Sequence, residues 1–159
     1  MRKLLSILVL ILGAAFCYGQ DTNKPAARLG AGVGIPYGII GINTEIYLGD
    51  YLSIMTGLGR SADEHNAAYC AGGRIYFQSR SKKTRLNIPL CFGTVGVLET
   101  WGLSTNLNGA AGGVGLSRNY SRLSFNVDIL YVKVTTDTQN TVRKDNSDIK
   151  MSVGYGWHF

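Results

Sequence analysis

The chain has 159 residues with 16 basic and 10 acidic side chains, a formal net charge of +6 and 21 glycines. The positive excess suits contact with anionic lipid head groups, but no basic patch is interleaved with aromatics, so nucleic acid is not an expected partner. There is no phosphate loop, no Cys-x-x-Cys, no nucleophile elbow and no histidine spacing suited to a metal, so no cofactor, metal site or catalytic residue is expected.

Residues 1–19 read as a secretory signal peptide. Arg2 and Lys3 open it, 4–15 is apolar, and Cys17 and Gly19 are small residues two apart that allow cleavage before Gln20. The apolar run is shorter than the ~20 residues that a spanning helix needs. A lipoprotein reading through Cys17 is disfavoured by Phe16, which stands where a small residue is wanted. No later segment is apolar and long enough for a helical span, which leaves two homes for an exported, alternating chain: a soluble all-β domain, or a closed barrel in the outer membrane.

Residues 20–159 then form one domain. Spanning strands take about 9–11 residues each, so eight use roughly 80 and leave room for connections, whereas twelve would leave almost none.

Eight segments alternate in chain order. The first, 28–35, sets Leu29, Ala31, Val33 and Ile35 on one face, and Pro36-Tyr37-Gly38 turns the chain. The second, 39–48, alternates Ile40, Ile42, Thr44, Ile46 and Leu48 with Gly41, Asn43, Glu45 and Tyr47. Gly49-Asp50 is a two-residue hairpin signal. The third, 51–59, carries Leu52, Ile54, Thr56 and Leu58, and 61–66 is a polar loop. The fourth, 67–78, points Tyr69, Ala71, Gly73, Ile75 and Phe77 one way and Cys70, Gly72, Arg74 and Tyr76 the other.

A basic turn at 79–84 leads to the fifth, 85–98, with Leu86, Ile88, Leu90 and Phe92 outward, then a loop at 99–105 with Trp101. The sixth, 106–117, is rich in glycine and alanine, and Arg118-Asn119 is its turn. The seventh, 120–134, alternates Leu123, Phe125, Val127, Ile129 and Tyr131 with Ser124, Asn126 and Asp128. After a polar loop at 135–148, the last, 149–159, runs Ile149, Met151, Val153, Tyr155, Trp157 and Phe159 along one face. The expected fold is an all-β, eight-stranded, antiparallel, up-and-down transmembrane β-barrel.

Connections alternate between short and long, as periplasmic turns and outer loops do. Tyr51, Phe77, Tyr120, Trp157 and Phe159 then make a periplasmic aromatic girdle, and Tyr37, Tyr69, Trp101 and Tyr131 an outer one. Glycines inside strand patterns suit a narrow, closed interior.

The terminal Gly154-Tyr155-Gly156-Trp157-His158-Phe159, the Gly-x-Gly-x-Pro-x-Gly run at 32–38 and Asn87-Ile88-Pro89-Leu90 resemble the small eight-stranded outer-membrane barrels of Gram-negative envelopes. That group includes the transmembrane domain of outer membrane protein A and its loop-bearing relatives. The resemblance implies that Phe159 is the signal read by the barrel assembly machinery during biogenesis. The group shares no catalytic residue, so none carries over.

The inward polar set is Asn43, Glu45, Arg74, Asn87, Asn126, Asp128 and Lys150. Buried charges must be paired, so these predict a salt-bridge network filling a narrow lumen; the alternative is a small polar conduit. Setting Gln78 opposite Lys83 pairs Ile75 with Leu86, Gly73 with Ile88 and Tyr69 with Phe92 outward, and Cys70 with Cys91 inward. Opposed Cβ atoms approach to about 4.5–5.5 Å, and export permits oxidation, so a disulfide is a candidate. The other reading is two free buried thiols, with Pro89 shifting the pairing.

The expected function is a non-enzymatic outer-membrane barrel with a structural or loop-presenting role, acting as a monomer among lipid and lipopolysaccharide. Arg60, Arg143 and Lys144 are candidate contacts to lipopolysaccharide phosphates. The competing classes are a small-solute pore, a soluble lipocalin-like barrel around an apolar ligand, and a lipid-modifying enzyme using Ser61, Asp63, Glu64 and His65.

Overall fold

A computed structural model describes residues 26–60, 66–100, 103–135 and 147–159, with side chains at 97–100 and 103–105 excepted. Eight antiparallel strands close in chain order into a barrel. They are β1 (Ala27–Gly34), β2 (Ile39–Tyr47), β3 (Leu52–Arg60), β4 (Ala67–Tyr76), β5 (Thr84–Thr100), β6 (Leu103–Tyr120), β7 (Leu123–Val134) and β8 (Ser147–His158). The closing seam pairs β1 with β8 from Arg28↔His158 to Val33↔Val153. Phe159 extends that seam: its amide donates to the Ala27 carbonyl at 2.9 Å, and its carbonyl accepts from Ala26 at 2.8 Å. No helix among the described residues is long and apolar enough to cross a membrane, and a β-barrel crosses without one.

Period-two alternation decides which way each side chain faces. Ile42 is 54% exposed and Ile129 52%, whereas Glu45 and Asp128 are fully buried. The apolar row lies outside and the charges lie at the centre. A water-soluble barrel of this size has the opposite arrangement, because exposing a continuous apolar surface to water is costly.

The interior is layered. Towards the long-connection rim, Ile35, Met55, Cys70, Cys91, Val95, Ala111, Leu130 and Val132 form an apolar cluster. Towards the short-turn rim the inward residues are polar or charged, among them Arg28, Glu45, Ser53, Arg74, Arg85, Asn87, Ser117, Ser124, Asn126 and Asp128.

Several boundaries differ from the sequence expectation. β5 and β6 run to Thr100 and Leu103, so the expected loop at 99–105 shrinks to residues 101 and 102 between two long strands. A register shift between Thr94 and Gly96 adds a residue to β5, and that bulge lets the ladder bend and continue. The β6–β7 turn falls after Tyr120, not at Arg118-Asn119. Trp101 lies outside the described residues.

Ile35 and Tyr37 face inward, contrary to the pattern read from the sequence. Ile35–Tyr37 is a single 3₁₀ turn whose three residues are all buried. It leaves the end of β1, folds into the lumen and touches β1, β2, β3, β4, β5 and β8. Gly34 (φ 117°) and Gly38 (φ 61°) allow the reversal, since both hold left-handed backbone open to glycine. The next residue, Ile39, is also left-handed at φ 72°. That costs a β-branched residue about 1–2 kcal/mol, so burial of the turn must outweigh it. Tyr37 is therefore no member of an outer girdle; it is fully enclosed. Tyr51, Phe77, Tyr120, Trp157 and Phe159 at the short-turn rim, and Tyr69 and Tyr131 at the other, do face outward.

Candidate functional site: a plugged, ion-paired lumen

Glu45, inward on β2, is the hub. Its Oε2 accepts from Arg28 Nη1 at 3.1 Å. Its Oε1 accepts from the hydroxyls of Ser53 (2.6 Å) and Tyr76 (2.5 Å). Arg74 Nη1 stands 3.9 Å from Oε2. Arg74 Nη2 in turn donates to Asp128 Oδ2 at 2.6 Å. The order Arg28–Glu45–Arg74–Asp128 alternates in sign across β1, β2, β4 and β7, and all four side chains are buried. Each charge has an opposite neighbour, as burial requires.

Polar partners complete the layer. Arg28 Nε donates to Ser124 Oγ at 2.7 Å, and its Nη2 to the Tyr37 hydroxyl at 3.2 Å. With its amide oxygen turned to the guanidiniums, Asn126 accepts from Arg28 at 2.6 Å and from Arg74 at 3.1 Å, and donates to Ser117 Oγ at 2.8 Å. Asn87 Nδ2 donates to the same Ser117 Oγ at 3.1 Å.

The inward set read from the sequence thus divides. Glu45, Arg74, Asn87, Asn126 and Asp128 meet in one network. Asn43 is buried beside it, but its amide has no hydrogen-bond partner among the described residues. Lys150 is half-buried and joins none of these ion pairs; it pairs with Leu130, at the apolar end of the lumen. Tyr76 and Ser124 face inward as the alternation predicts and join the network as well. Sequence reasoning missed Arg28, Tyr37, Ser53 and Ser117. Arg28, Ser53 and Ser117 could have been found by parity, since each sits one residue from a lipid-facing apolar residue.

The expected pairing of Cys70 with Cys91 does not occur. The β4–β5 ladder sets Cys70 opposite Gly93 and Gly72 opposite Cys91, displaced by two residues from the expected register. Both thiols are free and buried, and they stand as diagonal neighbours across the ladder. Pro89 stays in the ladder, opposite Arg74.

Arg60 is exposed at the end of β3. Arg143 and Lys144, its expected companions, lie outside the described residues, as do Ser61, Asp63, Glu64 and His65. Among the described residues no group of three or more His, Cys, Asp or Glu is placed to hold a metal ion.

The backbone arrangement is similar to that of a solved structure, the N-terminal β-barrel domain of OprF from Pseudomonas aeruginosa. The TM-score is 0.57 at 11% identity, covering 86% of this chain and all of that domain. At that identity the likeness is one of fold: a closed, eight-stranded, up-and-down barrel. No protein-family model and no curated protein sequence matches the chain.

Proposed function

We propose that this protein is a non-enzymatic, non-conducting barrel of the outer membrane, with a structural or loop-presenting role. Residues 1–19 act as the export signal and 20–159 as the barrel, and Phe159 serves the assembly machinery as the terminal aromatic. The observation that carries this reading is the direction of the side chains: an apolar outer wall around a buried, ion-paired centre. An outer wall of that kind is solvated by hydrocarbon and not by water.

The lumen supports the non-conducting part. An eight-stranded barrel has just enough interior for side chains. Here the 3₁₀ turn adds three further buried residues, and the ion pairs close the layer beneath it. The same filling argues against a carrier of a small apolar ligand, which needs an empty apolar interior.

Fractionation with gel electrophoresis tests the reading. The protein should enter the detergent-solubilised envelope and run as a compact band that shifts on boiling. Recovery in the soluble fraction, without detergent, would overturn it. Single-channel conductance in planar bilayers would favour the small-pore reading. Loss of a lipid-modifying activity on Ser61→Ala and His65→Ala would favour the enzyme.

A further inference from the structure

A half-open basin of about 630 Å³ lies at the short-turn rim, apart from the ion-paired layer. Arg80, Lys82 and Lys83 reach it from the β4–β5 turn, and Arg118 and Asn119 from the end of β6; His158 of β8 also lines it. Neither contributing turn, 77–83 or 118–122, contains an acidic residue. The nearby carboxylate of Asp50 is engaged by Arg80 at 3.6 Å and by Ser79 Oγ at 2.6 Å.

The inner side of the basin is as unusual as its rim. His158 is only 6% exposed, and its ring stacks on Tyr47 at 6.1 Å between centroids. Neither ring nitrogen has a hydrogen-bond partner among the described residues. Arg85 lies close by, against the same Tyr47 ring at 5.3 Å and over Tyr76 at 3.8 Å. It is buried, it pairs with no carboxylate among the described residues, and its Nε and Nη1 have no acceptor. Of the three arginines buried among the described residues, Arg28 and Arg74 share Glu45 and Asp128, and Arg85 has no carboxylate partner. A buried charge without a counter-charge is costly, so this end of the lumen calls for an anion.

We propose that the basin binds a phosphate group. Several cations converging from two turns suit a compact anion with several oxygens better than a single carboxylate. The histidine supplies a further nitrogen from within. Tyr120 also lines the basin and is exposed on the outer, apolar wall, with Arg118 5.1 Å from its ring. A phosphate arriving on a lipid head group would therefore keep its acyl chains along the wall while the head group enters the basin. Soluble phosphate offers the same chemistry without the chains.

The test uses the full, folded chain in maltoside micelles, titrated calorimetrically at about 0.15 M salt, where loose surface attraction is largely screened. The probes are inorganic phosphate, and micelles doped with phosphatidylglycerol or with phosphatidylcholine. The variants are Lys82→Ala/Arg118→Ala, and a control of equal charge loss away from the basin, Lys133→Ala/Lys150→Ala. Saturable binding of phosphatidylglycerol or phosphate near one per chain, weakened tenfold or more by the first variant and not by the control, supports the site. Lipid binding without inorganic phosphate binding identifies a head-group site; binding of both identifies a phosphate site that needs no chains. No saturable binding of either probe, or equal weakening in both variants, overturns the proposal. His158→Phe keeps the stack on Tyr47 and should weaken binding several-fold; unchanged binding would remove the histidine from the site. Both variants must first show the heat-modifiable folded band.

Discussion

The ring of Tyr37 occupies the space that a side chain on Gly154 would need. A Cβ built on Gly154 collides with the Tyr37 ring and hydroxyl, so the plug and the missing side chain on β8 are one feature. Gly156 stands in the same relation to the Arg28 guanidinium. The strand that closes the barrel thus gives up two side chains to let one aromatic and one cation lie across the lumen.

That relation predicts a non-additive mutant pair. Tyr37→Ala should cost about 3 kcal/mol, the scale of removing a buried aromatic. Gly154→Ala in the parent should cost about as much, because the ring must leave. In the Tyr37→Ala background Gly154→Ala should cost under about 1 kcal/mol, since the space is then free. Denaturant unfolding in detergent measures all four species; simple additivity would separate the two residues.

Glu45 holds two arginines, two hydroxyls and no solvent contact. Glu45→Gln leaves Arg28 without its ion pair and Arg74 with Asp128 alone, so about 3–5 kcal/mol of stability should be lost. The compact band should convert to the unfolded one at a lower temperature than in the parent. Asp148→Asn, at an exposed carboxylate of β8, is the control and should leave that temperature unchanged.

The two inward cysteines should react as thiols. Alkylation after denaturation, with no reductant present, should label the peptides of Cys70 and Cys91 to the same extent as alkylation after reduction. In the folded protein both should be protected, because both are buried. Label that appears only after reduction would show a disulfide between these diagonal neighbours.

Arg60 stands exposed where β3 ends, and we propose that it acts with Arg143 and Lys144 on lipopolysaccharide phosphates. Alanine at all three should reduce co-purifying lipopolysaccharide several-fold, measured per folded barrel. Unchanged retention would place the lipid contact elsewhere.

The fold was legible because strand parity carries it. Ile42 and Ile129 outside, and Glu45, Arg74, Asn126 and Asp128 inside, all follow from counting residues by twos. Parity also explains what was missed. A slip of one residue turns every side chain over, but a slip of two keeps each on its face. The alternation in β4 and β5 therefore could not tell Cys70 opposite Cys91 from Cys70 opposite Gly93. The plug was hidden for a related reason. Ile35 continues the apolar row of β1, and nothing local tells a turn that leaves the barrel from one that folds into it. The available signal was long-range: Gly32 and Gly154, paired across the seam, both make way for the Tyr37 ring. Lys150 has the right parity but the wrong height, which no periodicity reports.

The central claim is that the apolar rows face hydrocarbon. Spin labels at Ile42→Cys and Ile129→Cys, in a chain whose native cysteines are replaced by alanine and which is reconstituted in lipid vesicles, test it most directly. Both labels should relax strongly with oxygen, which concentrates in lipid, and weakly with a water-soluble nickel chelate. Relaxation dominated by the nickel chelate at both sites would place those rows in water and contradict the account.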